Sequence, residues 1–259
     1  MKHRIAAFCV LLMLGTAGFA VAESPFVGTW KLNQAKSHLT GSTMKFSPAA
    51  NNMIRLTVAE GSYTFKPDGH SYPALFGDTE NWTKLSGQSW KTIVHGHGGF
   101  VYTDTMKISD DGKSLTVTST GTNPDGSAFD NTAVYTRAAG DKGLMGTWRT
   151  TKIKRSSDNT LEFVANGNDG LTWKLPTIKA TLDAKFDGKD YAPTGPTVPD
   201  GLTLALTKTG PRSFSMVEKM KGKALYKGKY TVSPGGKTLT EVGMPVGQAQ
   251  PQTSVYDKQ

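Results

Sequence analysis

Gly28-Thr29-Trp30 and Gly146-Thr147-Trp148 are one tripeptide written twice, 118 residues apart, and the organisation of the chain can be read outward from them. Asp68-Gly69-His70-Ser71-Tyr72 returns as Asp187-Gly188-Lys189-Asp190-Tyr191, shifted by 119. The stretch from Ser109 to Thr116 returns from Ser233 to Thr240, shifted by 124, and Val134-Tyr135 returns as Val255-Tyr256, shifted by 121. Four matches in one order at a nearly constant offset mark a tandem duplication. Its seam falls in the small and polar stretch Ala138-Ala139-Gly140-Asp141-Lys142-Gly143, which suits a linker. A repeat of this length is a domain rather than a solenoid module. The expected organisation is a segment 1–22, a first repeat over 23–138 and a second over 139–259.

Inside each copy the apolar residues recur every second position. Ile54, Leu56 and Val58 alternate with polar neighbours, as do Leu115 and Val117, and Leu202, Leu204 and Leu206. Such runs, rich in Thr, Val and Tyr, predict half-buried antiparallel strands. Asp-Gly and Gly-Gly pairs at 68–69, 111–112, 125–126, 187–188 and 235–236 supply the turn chemistry of hairpins. Asn33 to Leu39 has room for one short helical turn, and no amphipathic helix of useful length follows residue 23. Each copy thus predicts about eight strands in a meander, and closure into a barrel is the usual way to remove exposed edges. Two separate barrels and one joint barrel, formed edge to edge, both satisfy this pattern. The fold class is all-β in either case.

Residues 1–22, MKHRIAAFCVLLMLGTAGFAVA, combine a basic start at Lys2 and Arg4, an apolar run from Ile5 to Leu14 and the small-x-small site Ala20-Val21-Ala22. That pattern predicts a cleavable export signal, and hence a periplasmic or secreted protein. Cleavage removes Cys9, the one cysteine, so the mature chain of 237 residues (259 less 22) would carry no disulfide and no thiol chemistry. The formal charge of +9 would fall to +7 with the loss of Lys2 and Arg4.

The stretches GTWKLNQAKS (28–37), DGHSYP (68–73), ISDDGKSLTVTSTGTNPDG (108–126) and AVYTR (133–137) resemble those of secreted bacterial lipocalin-like proteins, a calycin-type family of unassigned function. FDGKDY (186–191) and VSPGGKTLT (232–240) extend the likeness to the second copy, which lacks the KLN-x-x-KS stretch. The resemblance implies a tandem pair of up-and-down barrels, each able to hold a small hydrophobic ligand. It also implies that Trp30 and Trp148, each led by a glycine (Gly28, Gly146), plug one barrel end. A basic residue after the last strand would cover each plug: Arg137 in copy one, Lys258 in copy two.

Candidate chemistry is sparse. In His95-Gly96-His97-Gly98-Gly99 the two histidines lie two apart, so a strand would place both on one face as ligands for a metal or haem. His70, His38 or a carboxylate would supply the next ligand. The competing reading is a glycine-rich hairpin with exposed histidines, and Lys219 and Lys221 at the aligned positions of copy two favour it. No G-x-S-x-G elbow, telling carboxylate pair, P-loop or dinucleotide fingerprint is present. Neither a cofactor nor a catalytic residue is assigned.

Lys219, Lys221, Lys223, Lys227 and Lys229 form the densest basic run, either a solvated face or a strip for an anionic envelope surface. Export makes nucleic acid an improbable partner. Trp82, Trp90 and Tyr102, with Trp173, Phe186, Phe214 and Tyr226, fall in or beside predicted strands and are the candidate lining of a ligand cavity. The favoured reading is an exported, non-enzymatic protein holding a small hydrophobic or amphipathic ligand. The alternatives are a barrel-based enzyme or metal protein using His95 and His97, and a basic envelope-interaction module.

Overall fold

The structure, a computed structural model, describes residues 24–156, 159–248 and 250–259. The expected export signal lies outside the described residues. The first repeat supplies β1 (Gly28–Leu32), β2 (Thr43–Ala49), β3 (Met53–Val58), β4 (Gly61–Phe65), β5 (Asp68–Pro73), β6 (Thr79–Lys84), β7 (Ser89–His95), β8 (Val101–Ile108), β9 (Ser114–Thr122) and β10 (Ala128–Ala139). The second supplies β11 (Gly146–Lys154), β12 (Thr160–Asn166), β13 (Gly170–Leu175), β14 (Ala180–Lys185), β15 (Asp187–Tyr191), β16 (Leu202–Gly210), β17 (Ser213–Met220), β18 (Lys223–Val232), β19 (Thr238–Pro245) and β20 (Gln252–Lys258). The chain is all-β, as its alternating pattern predicts. The helix-like element near Asn33 is a single 3-10 turn, Gln34–Lys36. Among the described residues no helix is long and apolar enough to cross a membrane.

The strands form two antiparallel sheets of ten, not the eight per copy expected. The extra strands come from splitting. Phe186 alone separates β14 from β15, and Lys66 and Pro67 separate β4 from β5. These pairs are the two edges of their sheets, so each sheet curls into a nearly closed barrel with its seam at the break. At that seam Asp68-Gly69 and Asp187-Gly188 do not make hairpin turns. They make register shifts at the starts of β5 and β15. Asp68 accepts the His70 backbone N–H at 3.1 Å and the Tyr72 hydroxyl at 2.8 Å. Asp187 repeats the pattern with the Lys189 N–H at 3.0 Å and the Tyr191 hydroxyl at 3.1 Å. The recurrence of Asp-Gly-x-x-Tyr holds the register shift in place, and Asp187 is held below the usual carboxylate range chiefly by that Lys189 N–H.

The repeats and the barrels do not coincide. One sheet runs β4-β3-β2-β11-β10-β9-β8-β7-β6-β5 and is called barrel I; the other runs β14-β13-β12-β1-β20-β19-β18-β17-β16-β15 and is called barrel II. Each repeat has given its first strand to the other. β11 lies between β2 and β10, with Trp148 opposite Met44 and Arg137. β1 lies between β12 and β20, with Trp30 opposite Leu161 and Lys258.

Only residues 140–145 join β10 to β11, and a short connection between antiparallel strands pairs them locally at little entropic cost. The stretch Ala138–Gly143, expected as a linker between domains, is therefore a hairpin inside barrel I. With β11 beside β10, the matching place in barrel I is filled and β1 closes barrel II. The chain crosses between the barrels after β1 and again after β11, and the two crossings are tied at Gln34 and Arg155. The Gln34 side chain donates to the Arg155 carbonyl at 2.7 Å and accepts its N–H at 2.9 Å.

Both tryptophans are fully buried and are held alike. Trp30 Nε1 donates to the Phe26 carbonyl at 2.8 Å, and Trp148 Nε1 to the Leu144 carbonyl at 2.9 Å. Phe26 and Leu144 are themselves buried, so the working motif is apolar-x-Gly-Thr-Trp. The basic covers are crossed relative to the repeats, because the strands are. Arg137 lies 4.0 Å above Trp148, and Lys258 lies 5.3 Å from Trp30. Arg137 also donates to the carbonyls of Gly112, Gly143 and Met145 at 2.7, 2.7 and 2.9 Å, which clips the β10–β11 hairpin. The glycine of each motif has a left-handed φ, 138° at Gly28 and 131° at Gly146. A Cβ on Gly28 would sit 2.5 Å from the Lys258 chain, and one on Gly146 would sit 2.2 Å from the Ala139 carbonyl oxygen.

One prediction concerns chain cleavage. A protease site inserted between Asp141 and Lys142 and then cut should not release two halves. Each fragment donates a strand to the other's barrel, so the nicked protein should elute from a sizing column at intact size. It should separate only in denaturant.

Candidate functional site

The interiors of the two barrels differ although their strands correspond. In barrel I, Trp82 stacks on Phe65 with centroids 4.1 Å apart and meets Phe46 edge-on at 6.0 Å. The indole N–H of Trp82 donates to Glu80 at 2.8 Å, and the Tyr63 hydroxyl donates to the same carboxylate oxygen. Burial raises the pKa of Glu80 in spite of these two donors, and it raises that of Asp104 against a hydrogen bond from Ser119. Trp90 is buried in the same core. Tyr102 packs near the rim with Phe100 and Phe129, at 5.5 and 6.3 Å.

Register equates β6 with β16 and places Leu204 and Leu206 where barrel I has Glu80 and Trp82. Barrel II has space at its centre. A cavity of about 440 Å³ opens there, within the roughly 300–1,000 Å³ usual for small-molecule sites. Its apolar wall comes from Leu175, Leu182, Leu202, Leu204, Met216 and Leu225, and the ring of Trp173 adds to it. The mouth is formed by Ile178, by Pro193 and Thr197 to Pro199 of the β15–β16 connection, and by Glu60 from the β3–β4 turn of barrel I.

One stretch of the wall is polar. Glu241 is buried, and its Oε1 accepts the hydroxyls of Tyr226 and Tyr230, each at 2.8 Å. The Tyr256 hydroxyl lies 3.5 Å from Oε2. Burial, then the Glu241 charge, pushes the phenol pKa values of Tyr226 and Tyr230 up, so both remain donors. Alternation along β19 explains why a carboxylate points inward: Leu239, Glu241 and Gly243 share one face, and Leu239 is fully buried. Gly243 makes room for Tyr226, whose hydroxyl would lie 1.6 Å from a Cβ at that position. Glu218, on β17, has its pKa raised by desolvation and then by the charges of Glu60 and Glu241.

Of the residues singled out from sequence, Trp173 and Tyr226 line this cavity. Phe214 is fully buried, stacks on Tyr230 with centroids 4.8 Å apart, and lies outside the lining. Phe186 packs on Phe26 and Phe214 in the same core. Trp82 and Trp90 belong to the packed interior of barrel I.

The two histidines do not share a strand face, because β7 ends at His95 and His97 opens a 3-10 turn. His95 is exposed, and His97 Nδ1 lies 3.0 Å from Asp78 Oδ1. Among the described residues no group of three or more His, Cys, Asp or Glu is placed to hold a metal ion. In the basic run, Lys219 pairs with Asp190 at 2.7 Å, while Lys221, Lys223, Lys227 and Lys229 are exposed. Sequence reading missed Glu60, Glu218, Tyr230 and Glu241. A carboxylate in phase with Leu239 was the available signal for the last.

Comparison of the chain with family models, curated proteins and solved structures gives no match.

Glu218 yields a pH prediction. Its folded pKa lies above the unfolded one, so the folded state is favoured while it is protonated, and that contribution is lost as pH rises through the folded pKa. Glu218→Gln should therefore stabilise the unliganded protein at neutral pH and converge with wild type near or below about pH 4, where an ordinary glutamate is protonated. Urea midpoints at both pH values check this.

Proposed function

We propose that the protein is an exported, non-enzymatic carrier that holds one small hydrophobic or amphipathic molecule in barrel II. The observation that carries this reading is the apolar cavity of about 440 Å³ with its Glu241–Tyr226–Tyr230 cluster. Apolar walls supply the driving force in proportion to the ligand surface removed from water, and a few fixed polar groups set its orientation. The indole N–H of Trp173 supports the same reading. The residue is only 7% exposed and its Nε1 has no hydrogen-bond partner among the described residues. A buried donor left unpaired is costly, and a ligand acceptor would remove that cost. The packed aromatics of barrel I cast it as the structural partner. It closes barrel II through the exchanged strand and adds Glu60 to the mouth. The export expectation rests on the composition of residues 1–22.

Native mass spectrometry of the protein isolated from its own envelope or medium, with metal content determined on the same sample, tests the proposal. The expected result is an adduct of a few hundred daltons, lost on denaturation and absent from Leu204→Trp, which fills the cavity. A bare wild-type mass, or a stoichiometric metal with no organic adduct, would contradict it.

A further inference from the structure

The cavity carries an electrostatic signature opposite to that of the protein around it. The chain has a formal charge of +9, yet among the described residues the charged ones lining the cavity are Glu60, Glu218 and Glu241, with no Lys, Arg or His. The exposed lysines Lys221 and Lys223, with His97, line a neighbouring groove that shares Glu60 and Leu225 with the cavity. The three carboxylates arrive from three elements, the β3–β4 turn, β17 and β19, so they converge in space and not in sequence.

Their partners differ. Glu241 accepts hydrogen bonds from two tyrosine hydroxyls. Among the described residues Glu218 has neither a hydrogen-bond nor an ion-pair partner, and its electrostatic neighbours are the like charges Glu60 and Glu241. A half-buried carboxylate facing two others is a cost that the unliganded protein bears and that a bound cation would offset. The rings of Trp173 and Tyr230, 5.3 Å apart and edge to face, also line this space.

We infer that the ligand of barrel II is a hydrophobic cation, an apolar amine or quaternary ammonium compound, and not a fatty acid or other carboxylate amphiphile. This rests on the carrier reading and narrows it to a charge class. Glu218 is the counter-ion, Glu60 closes the mouth with a second negative charge, and the apolar part of the ligand lies against Leu182, Leu204 and Met216. Inside the cavity an anionic headgroup would meet Glu218 and Glu241 with no base in the lining, a repulsion of the kind that excludes wrong partners.

Three shape-matched probes separate charge from cavity binding: 1-adamantylamine, adamantane-1-carboxylate and 1-adamantanol, titrated calorimetrically into the full chain at neutral pH. The amine is expected to bind at least about tenfold more tightly than the carboxylate, a difference of about 1.4 kcal/mol. Glu218→Gln should weaken the amine by a similar factor and leave the alcohol within about threefold, which separates lost charge from lost fold. Carboxylate binding as tight as the amine, or an amine affinity unchanged in Glu218→Gln, would overturn the charge assignment while the carrier reading stands. Failure of all three probes to bind would contradict an accessible apolar cavity and remove both.

Discussion

Each barrel buries in its core a tryptophan that belongs to the other repeat, and the remaining architecture depends on that exchange. Trp148 lies in the core of barrel I under Arg137, and Trp30 in that of barrel II near Lys258. Truncating a buried aromatic of this kind costs about 3–5 kcal/mol, a large part of the stability of a typical domain. Neither barrel keeps its tryptophan without the other's chain. The exchange thus converts two domains that a duplication would have left independent into one interlocked unit. The reciprocal bonds between Gln34 and Arg155 fasten the two crossings where they pass.

Interlocking leaves the two interiors free to diverge. Barrel I is packed around Trp82, Phe65 and Phe46, with Glu80 satisfied by Tyr63 and Trp82. Barrel II has leucines at the positions of Glu80 and Trp82 and keeps its acids elsewhere, on β17 and β19. Its cavity therefore joins apolar walls to a negative pole. Unsatisfied polar groups inside a folded protein mark places where stability has been given up, and sites of recognition are where such losses are tolerated. The Trp173 indole is one such group, in the cavity of barrel II, and Asn81, Thr92 and Asp104 are others, in barrel I.

Much of the fold was legible in the sequence. Alternation along 54–58, 115–119 and 202–206 fixed the all-β class, and the repeated Gly-Thr-Trp located the first strands. The exchange was not legible, because the two first strands carry the same signature and either could complete either barrel. In the structure residues 140–145 form a hairpin that seats β11 beside β10, while the similarly short connection from β11 to β12 changes barrels, so connection length alone did not reveal the exchange. The Asp-Gly pairs at 68–69 and 187–188 were read as turns because turn residues and bulge residues share the need for special backbone conformations. Trp173 and Tyr226 were found as aromatics in strands, but the same reasoning also selected Phe214, which faces the core. Glu60 could not be found at all, since a turn residue of one barrel reaches the mouth of the other only in three dimensions. His95 and His97 shared a face only if the strand continued, and it ends at His95.

The most direct test of the exchange uses paired cysteines in a chain whose Cys9 is replaced by serine. In the structure Thr29 lies opposite Glu162, and Thr147 opposite Lys45. Without exchange, β1 would take the place of β11 and Thr29 would face Lys45. Thr29→Cys with Glu162→Cys should form an intramolecular disulfide in the monomer on mild oxidation, while Thr29→Cys with Lys45→Cys should not. The opposite outcome, bonding to position 45 and none to position 162, would contradict the exchange and with it the interlocked architecture.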